Sequence, residues 1–234
     1  MPRLTAFAED LWTVEGPTVS FFGAPYPTRA AVIRLPDGLF VWSPVAPDPE
    51  LRAEIDALGP VRWLVEPNKI HHLFLGPSLE AWPEATAWAP PGLAARKPEL
   101  PFAGTLGDTP EPAWADAIDQ VVIGGSAAMD EVLFFHRKSS TVLVGDLVQR
   151  HDPAFYGPFW RAMMRVDALL GPNGSTPREW RASYLRRGPA RAALDRALAW
   201  QPERLVIAHG ACADRDAARI LADSLAWIRR PWPL

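Results

Sequence analysis

Two adjacent histidines, His71 and His72, follow the apolar run 61–65 (VRWLV) across the turn Pro67-Asn68-Lys69-Ile70. The run reads as a buried strand, and a helix-like segment follows the histidines. Open α/β sheets place ligands at such strand ends. Asp146 ends another apolar strand, 141–145 (TVLVG), and His209 ends a third, 205–208 (LVIA). Imidazoles and a carboxylate gathered at one place are a donor set for a first-row metal, or a set of proton-transfer groups. The three strand ends therefore predict one shared metal or catalytic site.

The elements that must position these residues follow from periodicity and punctuation. Strands are expected at 11–15, 18–22, 29–35 and 39–43, the last two joined by the hairpin signal Pro36-Asp37-Gly38. Residues 48–58 carry a capping Asp48, Pro49 in the first turn and apolar residues at 51, 55 and 58, which predicts a helix stopped by Gly59-Pro60. After strand 61–65, a helix from about 73 to 82 precedes a strand at 86–89 and a short helix at 91–96. Residues 97–116 are rich in Pro and Gly and read as a surface loop. The second half repeats the rhythm: strands at 120–123, 131–136 and 141–145, a helical stretch at 153–170, a loop at 171–176, helices at 177–185 and 189–200, strand 205–208 and a last helix at 214–228. Two sheets facing each other with helices outside would make an αββα sandwich in one domain spanning 1–234.

Composition narrows the class. A chain of 234 residues with 48% hydrophobic content is long enough for a full core. A net charge of −3 offers no basic footprint for nucleic acid or an anionic membrane. The opening residues lack a long apolar region and no apolar run approaches ~18 residues, so neither a secretory signal nor a membrane span is expected. The single cysteine, Cys212, excludes a disulfide framework and a Cys-rich zinc site. A cytoplasmic protein acting on a small molecule, with oligomeric state open, is the expectation.

The order of these features resembles the metallo-β-lactamase fold superfamily, in a divergent branch with a degenerate metal-binding motif. The resemblance covers roughly residues 10–228 and rests on the β-meander, the His cluster after a strand, Leu-Val-Gly-Asp at 143–146 and Ala-His-Gly at 208–210. It implies a four-layered αββα sandwich. The family signature H-x-H-x-D-H falls on residues 67–72, where Pro67 and Lys69 replace the first two histidines, His71 replaces the aspartate and His72 matches the last histidine. The family's turn histidine would fall near Gly124-Gly125-Ser126, where none stands. The bridging aspartate matches Asp146 and the final histidine His209. The resemblance thus implies loss of the first metal position and a second position made of His71, His72, Asp146 and His209. One divalent metal is the implied cofactor, zinc first and iron or manganese next, with no metal as the alternative. Lys69, where a first-site ligand would stand, is read as replacing the lost cation's charge, and Asp146 as both ligand and proton acceptor.

The implied function is a metal-dependent hydrolase-like protein with an atypical, at most mononuclear site, acting on a small ester, lactone or thioester. The alternative is a non-catalytic protein of the same fold, a metal-free scaffold or small-ligand binding module; a single-iron oxidoreductase is a minor third reading. Other residues carry weaker expectations. His136, before Arg137-Lys138, reads as a surface hairpin residue. His151 is within chain reach of the pocket, Asp130 and Glu131 are candidates for its mouth, and Cys212 reads as a buried inert thiol. Trp42, Trp63, Trp82, Trp88 and Trp160 read as core or pocket wall. The arginines at 161, 165, 178, 181, 186, 187 and 191 read as a solvated face.

Overall fold

A computed structural model describes residues 3–172 and 174–230. The chain opens with β1 (Leu4–Ala8), β2 (Leu11–Glu15), the short hairpin β3 (Val19–Phe21) and β4 (Ala24–Tyr26), then β5 (Arg29–Leu35) and β6 (Gly38–Trp42). Helix α1 (Pro49–Asp56) leads to β7 (Val61–Val65), α2 (Leu75–Ala81), β8 (Thr86–Ala89), α3 (Leu93–Arg96) and β9 (Phe102–Thr105). A seven-stranded sheet results, ordered β1-β2-β5-β6-β7-β8-β9. It is antiparallel as far as β6 and parallel from β6 to β9.

The second sheet has four strands in sequence order: β10 (Ile118–Ile123), β11 (Glu131–His136), β12 (Thr141–Val144) and β13 (Arg204–Ile207). Between β12 and β13 lie α4 (Pro158–Val166), α5 (Arg178–Ser183) and α6 (Arg187–Ala199), and α7 (Ala217–Ser224) follows β13. The expected loop at 171–176 includes Asn173, which lies outside the described residues.

Strand alternation builds the layers. In β7, Trp63 and Val65 face the second sheet and meet Phe134, Leu143, Val206 and Trp114 in the central core. Leu64, and Val61 beyond the register shift at Arg62, face the other way, onto Leu51 and Ile55 of α1 and Leu75 of α2. The outer face of the second sheet packs on α6 and α7. Helix α6 buries Ala190, Ala193, Leu194 and Ala197, the i, i+3, i+4, i+7 stripe of an amphipathic helix. The layers are therefore helix, sheet, sheet, helix, as expected. Helix α1 starts where its signals place it: the Asp48 carboxylate accepts from Leu51 N at 3.0 Å and Pro49 occupies the first turn.

Two expectations are corrected. Residues 97–116 are not simply a surface loop: β9 adds the edge strand beside β8, and Leu106 and Trp114 are buried in the central core. His136 is not at the surface. It ends β11, an inner strand covered on both faces, and its Nδ1 lies 2.7 Å from Ser139 Oγ.

Register decides where the chemistry falls. The parallel pairing Val144↔Ile207 puts Asp146 and His209 side by side, each two residues past its strand. The pairing Trp42↔Val65 likewise sets Ser43 beside Glu66. The two sheets are stitched at this edge by Val132 N donating to Pro67 O at 2.8 Å. Gly210 makes the turn after His209 at φ +107°, and a Cβ there would meet the Arg150 carbonyl oxygen at 2.2 Å. Gly210→Ala is therefore expected to destabilise the fold by more than about 1 kcal/mol, read as a lower midpoint in urea unfolding. An unchanged midpoint would show that this turn tolerates ordinary backbone angles.

Candidate metal centre

Asp146 is 4% exposed and lies at the centre of the strand ends. His71 Nε2 is 3.1 Å from Asp146 Oδ2, and His209 Nε2 is 3.3 Å from Oδ1. The two Nε2 atoms are 3.2 Å apart. One donor atom from each residue lies within 4.8 Å of the others. The far side of each ring is held. His209 Nδ1 donates to Pro27 O at 2.7 Å, since a carbonyl only accepts, and His71 Nδ1 lies 3.0 Å from Ser43 Oγ. That fixed Nδ1–H leaves the Nε2 lone pair of a neutral His209 facing the carboxylate and the other imidazole. Three electron-rich atoms aimed at one point need a cation between them, a proton or a metal. An outward ring N–H held by a carbonyl is also the usual support of a metal-bound histidine. The donor set therefore fits a single divalent ion.

Supporting groups surround the three. The Asn68 amide nitrogen donates to Asp146 Oδ2 at 2.9 Å and to Glu131 Oε2 at 3.0 Å. Glu131, fully buried, accepts from Gly145 N at 2.9 Å and Asp146 N at 2.7 Å. Gln149 Nε2 donates to Asp146 Oδ1 at 3.2 Å, and its Oε1 lies 3.1 Å from His151 Nε2, whose Nδ1 meets Tyr156 OH at 2.9 Å. The Arg29 guanidinium pairs with Glu15 and donates to Ile207 O and Gly210 O at 2.6 Å, pinning the loop that carries His209.

The electrostatics follow from this packing. Burial opposes ionisation of Asp146, but His71 and His209 hold its carboxyl well below the usual range. Burial, then the charge of Asp146, pushes Glu131 up to about 8. Burial works against a charged His209, yet its hydrogen bond to Asp146 raises it. Burial drives His151 down to about 3, leaving it neutral.

The site opens onto a cavity of about 310 Å³ with apolar walls from Phe21, Tyr26, Ile70, Leu73, Phe74 and Trp180. Of the four expected ligands, His71, Asp146 and His209 come together. His72 does not join them: its Nδ1 donates to Ile70 O at 3.1 Å, and it lines the cavity wall instead. Adjacent side chains diverge, and the turn does not fold both rings inward. Lys69 is half-buried, with its stem near Gly92, and is not among the residues lining the cavity. The expected counter-charge at Asp146 comes from the two imidazoles and from the amides of Asn68 and Gln149. Glu131 lies beneath the site rather than at its mouth, and His151 sits one hydrogen bond behind Gln149. Asp130 accepts from Ser126 N at 3.2 Å. Cys212 is half-buried, its thiol pushed up by burial. Asn68, Gln149 and Glu66 are the cavity and site residues that sequence reasoning missed. The one available signal was the polar Asn68 in the turn three residues past β7.

One family profile, described as a domain of unknown function (DUF4336), matches residues 8–155. The chain belongs to this family. A comparison of this DUF4336 protein with curated proteins finds no match. Among solved structures it is similar to a metallo-β-lactamase from Pontibacter korlensis, at 14% identity and TM-score 0.65, covering 97% of this chain and 99% of that one. It is similar to the DIM-1 metallo-β-lactamase exposed to ceftazidime, at 16% identity and TM-score 0.65, covering 96% of each chain. It also resembles the FIM-1 metallo-β-lactamase from Pseudomonas aeruginosa in its mono-zinc form, at 14% identity and TM-score 0.62, covering 97% of this chain and 96% of that one. At these identities the likeness establishes the metallo-β-lactamase fold. Among the described residues no helix is long and apolar enough to cross a membrane.

The buried groups make stability pH-dependent in the metal-free protein. Folded Glu131 keeps a proton that the unfolded chain releases above its ordinary 4.5, so stability falls as pH rises from about 4.5 to about 8. His209 acts in the same sense, because its raised value adds stability below its unfolded range that is lost as pH climbs through the folded one. Asp146 acts oppositely, adding stability above the ordinary carboxylate range that is lost in acid. Urea midpoints of chelator-treated protein should fall across that interval, and Glu131→Gln should flatten the slope even as it lowers the midpoints. An identical slope in the variant would remove Glu131 as its source.

Proposed function

We propose that this protein is a metal-dependent hydrolase-like protein with a mononuclear site formed by His71, Asp146 and His209, acting on a small ester, lactone or thioester. The observation that carries the reading is the convergence of His71 Nε2, His209 Nε2 and the Asp146 carboxylate at the edge of an open apolar cavity, with each imidazole fixed from behind. Two nitrogens and a carboxylate oxygen suit zinc first and iron or manganese next. A divalent cation there supplies Lewis-acid polarisation of a carbonyl group. The mono-zinc form of one solved relative supports a single ion in this fold.

The chain's own groups do the rest. The apolar walls exclude water around a small acyl substrate. The Asp146 carboxylate, kept ionised by its imidazole neighbours, balances the charge of a bound cation. Asn68 and Gln149 hold the two oxygens of that carboxylate in fixed directions. The second reading, a metal-free binding module, is favoured by one observation: His71, Asp146 and His209 already hydrogen-bond to one another.

The test is hydrolysis of 4-nitrophenyl acetate, a small lactone and an acyl thioester, with zinc, manganese or iron(II) added and after chelation. The expected result is metal-dependent turnover that falls at least about 100-fold in Asp146→Ala. Turnover that ignores both the chelator and Asp146→Ala, or no turnover with any metal, would favour the binding module.

A further inference from the structure

Glu66 stands apart from the other acids. Three carboxyl side chains are buried among the described residues: Glu66, Glu131 and Asp146. Glu131 and Asp146 are hydrogen-bonded on both oxygens. Glu66, 2% exposed, makes no hydrogen bond and no ion pair with any described residue, yet it lines the same cavity as the metal centre. The Glu66 carboxyl therefore turns to the cavity instead of to the protein, and its hydrogen bonds are left to whatever occupies that space. The Tyr26 hydroxyl on the same wall also lacks a hydrogen-bond partner among the described residues.

We propose that Glu66 is the specificity-determining residue of this cavity, its carboxyl group pairing with an amide-type edge of the ligand that both donates and accepts a hydrogen bond. With no cation beside it, a buried carboxyl stays protonated, and burial alone pushes Glu66 well above the usual carboxylate range. A protonated carboxyl offers one O–H donor and one carbonyl acceptor, which an amide N–H and C=O match together. A cationic amine is the less complementary occupant. The exposed Arg96 guanidinium at the edge of the same cavity adds like charge against it. The aromatic walls of Phe21, Phe74 and Trp180 suit a flat body carrying that amide. The inference concerns binding and does not rest on the metal reading.

The experiment uses the full chain after chelator treatment, so a failure of the metal site leaves it interpretable. Binding of benzamide, acetophenone and benzylamine is measured by ligand-observed nuclear magnetic resonance, and melting temperatures are recorded for the wild type, Glu66→Gln and Glu66→Leu. Benzamide is expected to bind about tenfold tighter than acetophenone, which has the carbonyl but no N–H. Glu66→Leu should abolish that preference while raising the melting temperature by about 2–4 °C, because it removes an uncompensated polar group. Glu66→Gln should keep the preference, since its carboxamide also donates and accepts. The proposal is overturned if benzamide shows no binding or no preference, or if the preference survives Glu66→Leu. It is equally overturned if benzylamine binds more tightly than benzamide, or if Glu66→Leu melts lower than the wild type, which would reveal a structural partner for Glu66.

Discussion

Two carboxyl groups, ionised Asp146 and proton-holding Glu131, are buried within reach of a single Asn68 amide, and the rest of the site is arranged around keeping them there. Burying a charge is expensive unless hydrogen bonds and opposite charge answer it. Glu131 is answered by backbone N–H groups of the strand-end turn at 145–147 and by Asn68. Asp146 is answered by His71, His209, Asn68 and Gln149. These contacts come from both sheets, so the pair of carboxyl groups also locks the sheets together at the edge where the site opens. Asn68 pairs with Glu131 in an isolated bridge that continues this seam.

Much of this was legible in the sequence. The strands ending at Asp146 and His209 are short apolar runs bounded by polar residues, and their parallel pairing brings the two side chains together. The sandwich itself followed from the alternation of strands and helices in two halves. What was hidden depends on three-dimensional neighbours. His72 was expected as a ligand because it occupies the motif's last histidine position, but its ring finds the Ile70 carbonyl two residues back. Lys69 was expected to replace a lost cation, whereas neutral amides and the imidazoles serve Asp146. His136 was placed at the surface by its charged neighbours, yet inner-strand packing buries it. Strand β9 was lost in a Pro- and Gly-rich stretch because four residues give too little periodicity to see.

The fold is that of the metallo-β-lactamases, and the donor set is smaller than the signature implied. With Pro67 and Lys69 in the first two histidine positions, the histidine side retains only His71 and His209 around Asp146. Each of these imidazoles has its outer nitrogen fixed, so the three donors are oriented before any ion arrives. Preorganisation of this kind would lower the cost of binding a cation.

The central claim is that His71, Asp146 and His209 alone hold one metal ion. Elemental analysis by inductively coupled plasma mass spectrometry, on purified tag-free protein reconstituted with zinc and desalted, tests it most directly. The account predicts about one metal per chain in the wild type and in His72→Ala, and essentially none in His71→Ala or His209→Ala. Loss of metal in His72→Ala, or no retained metal in the wild type, would contradict it.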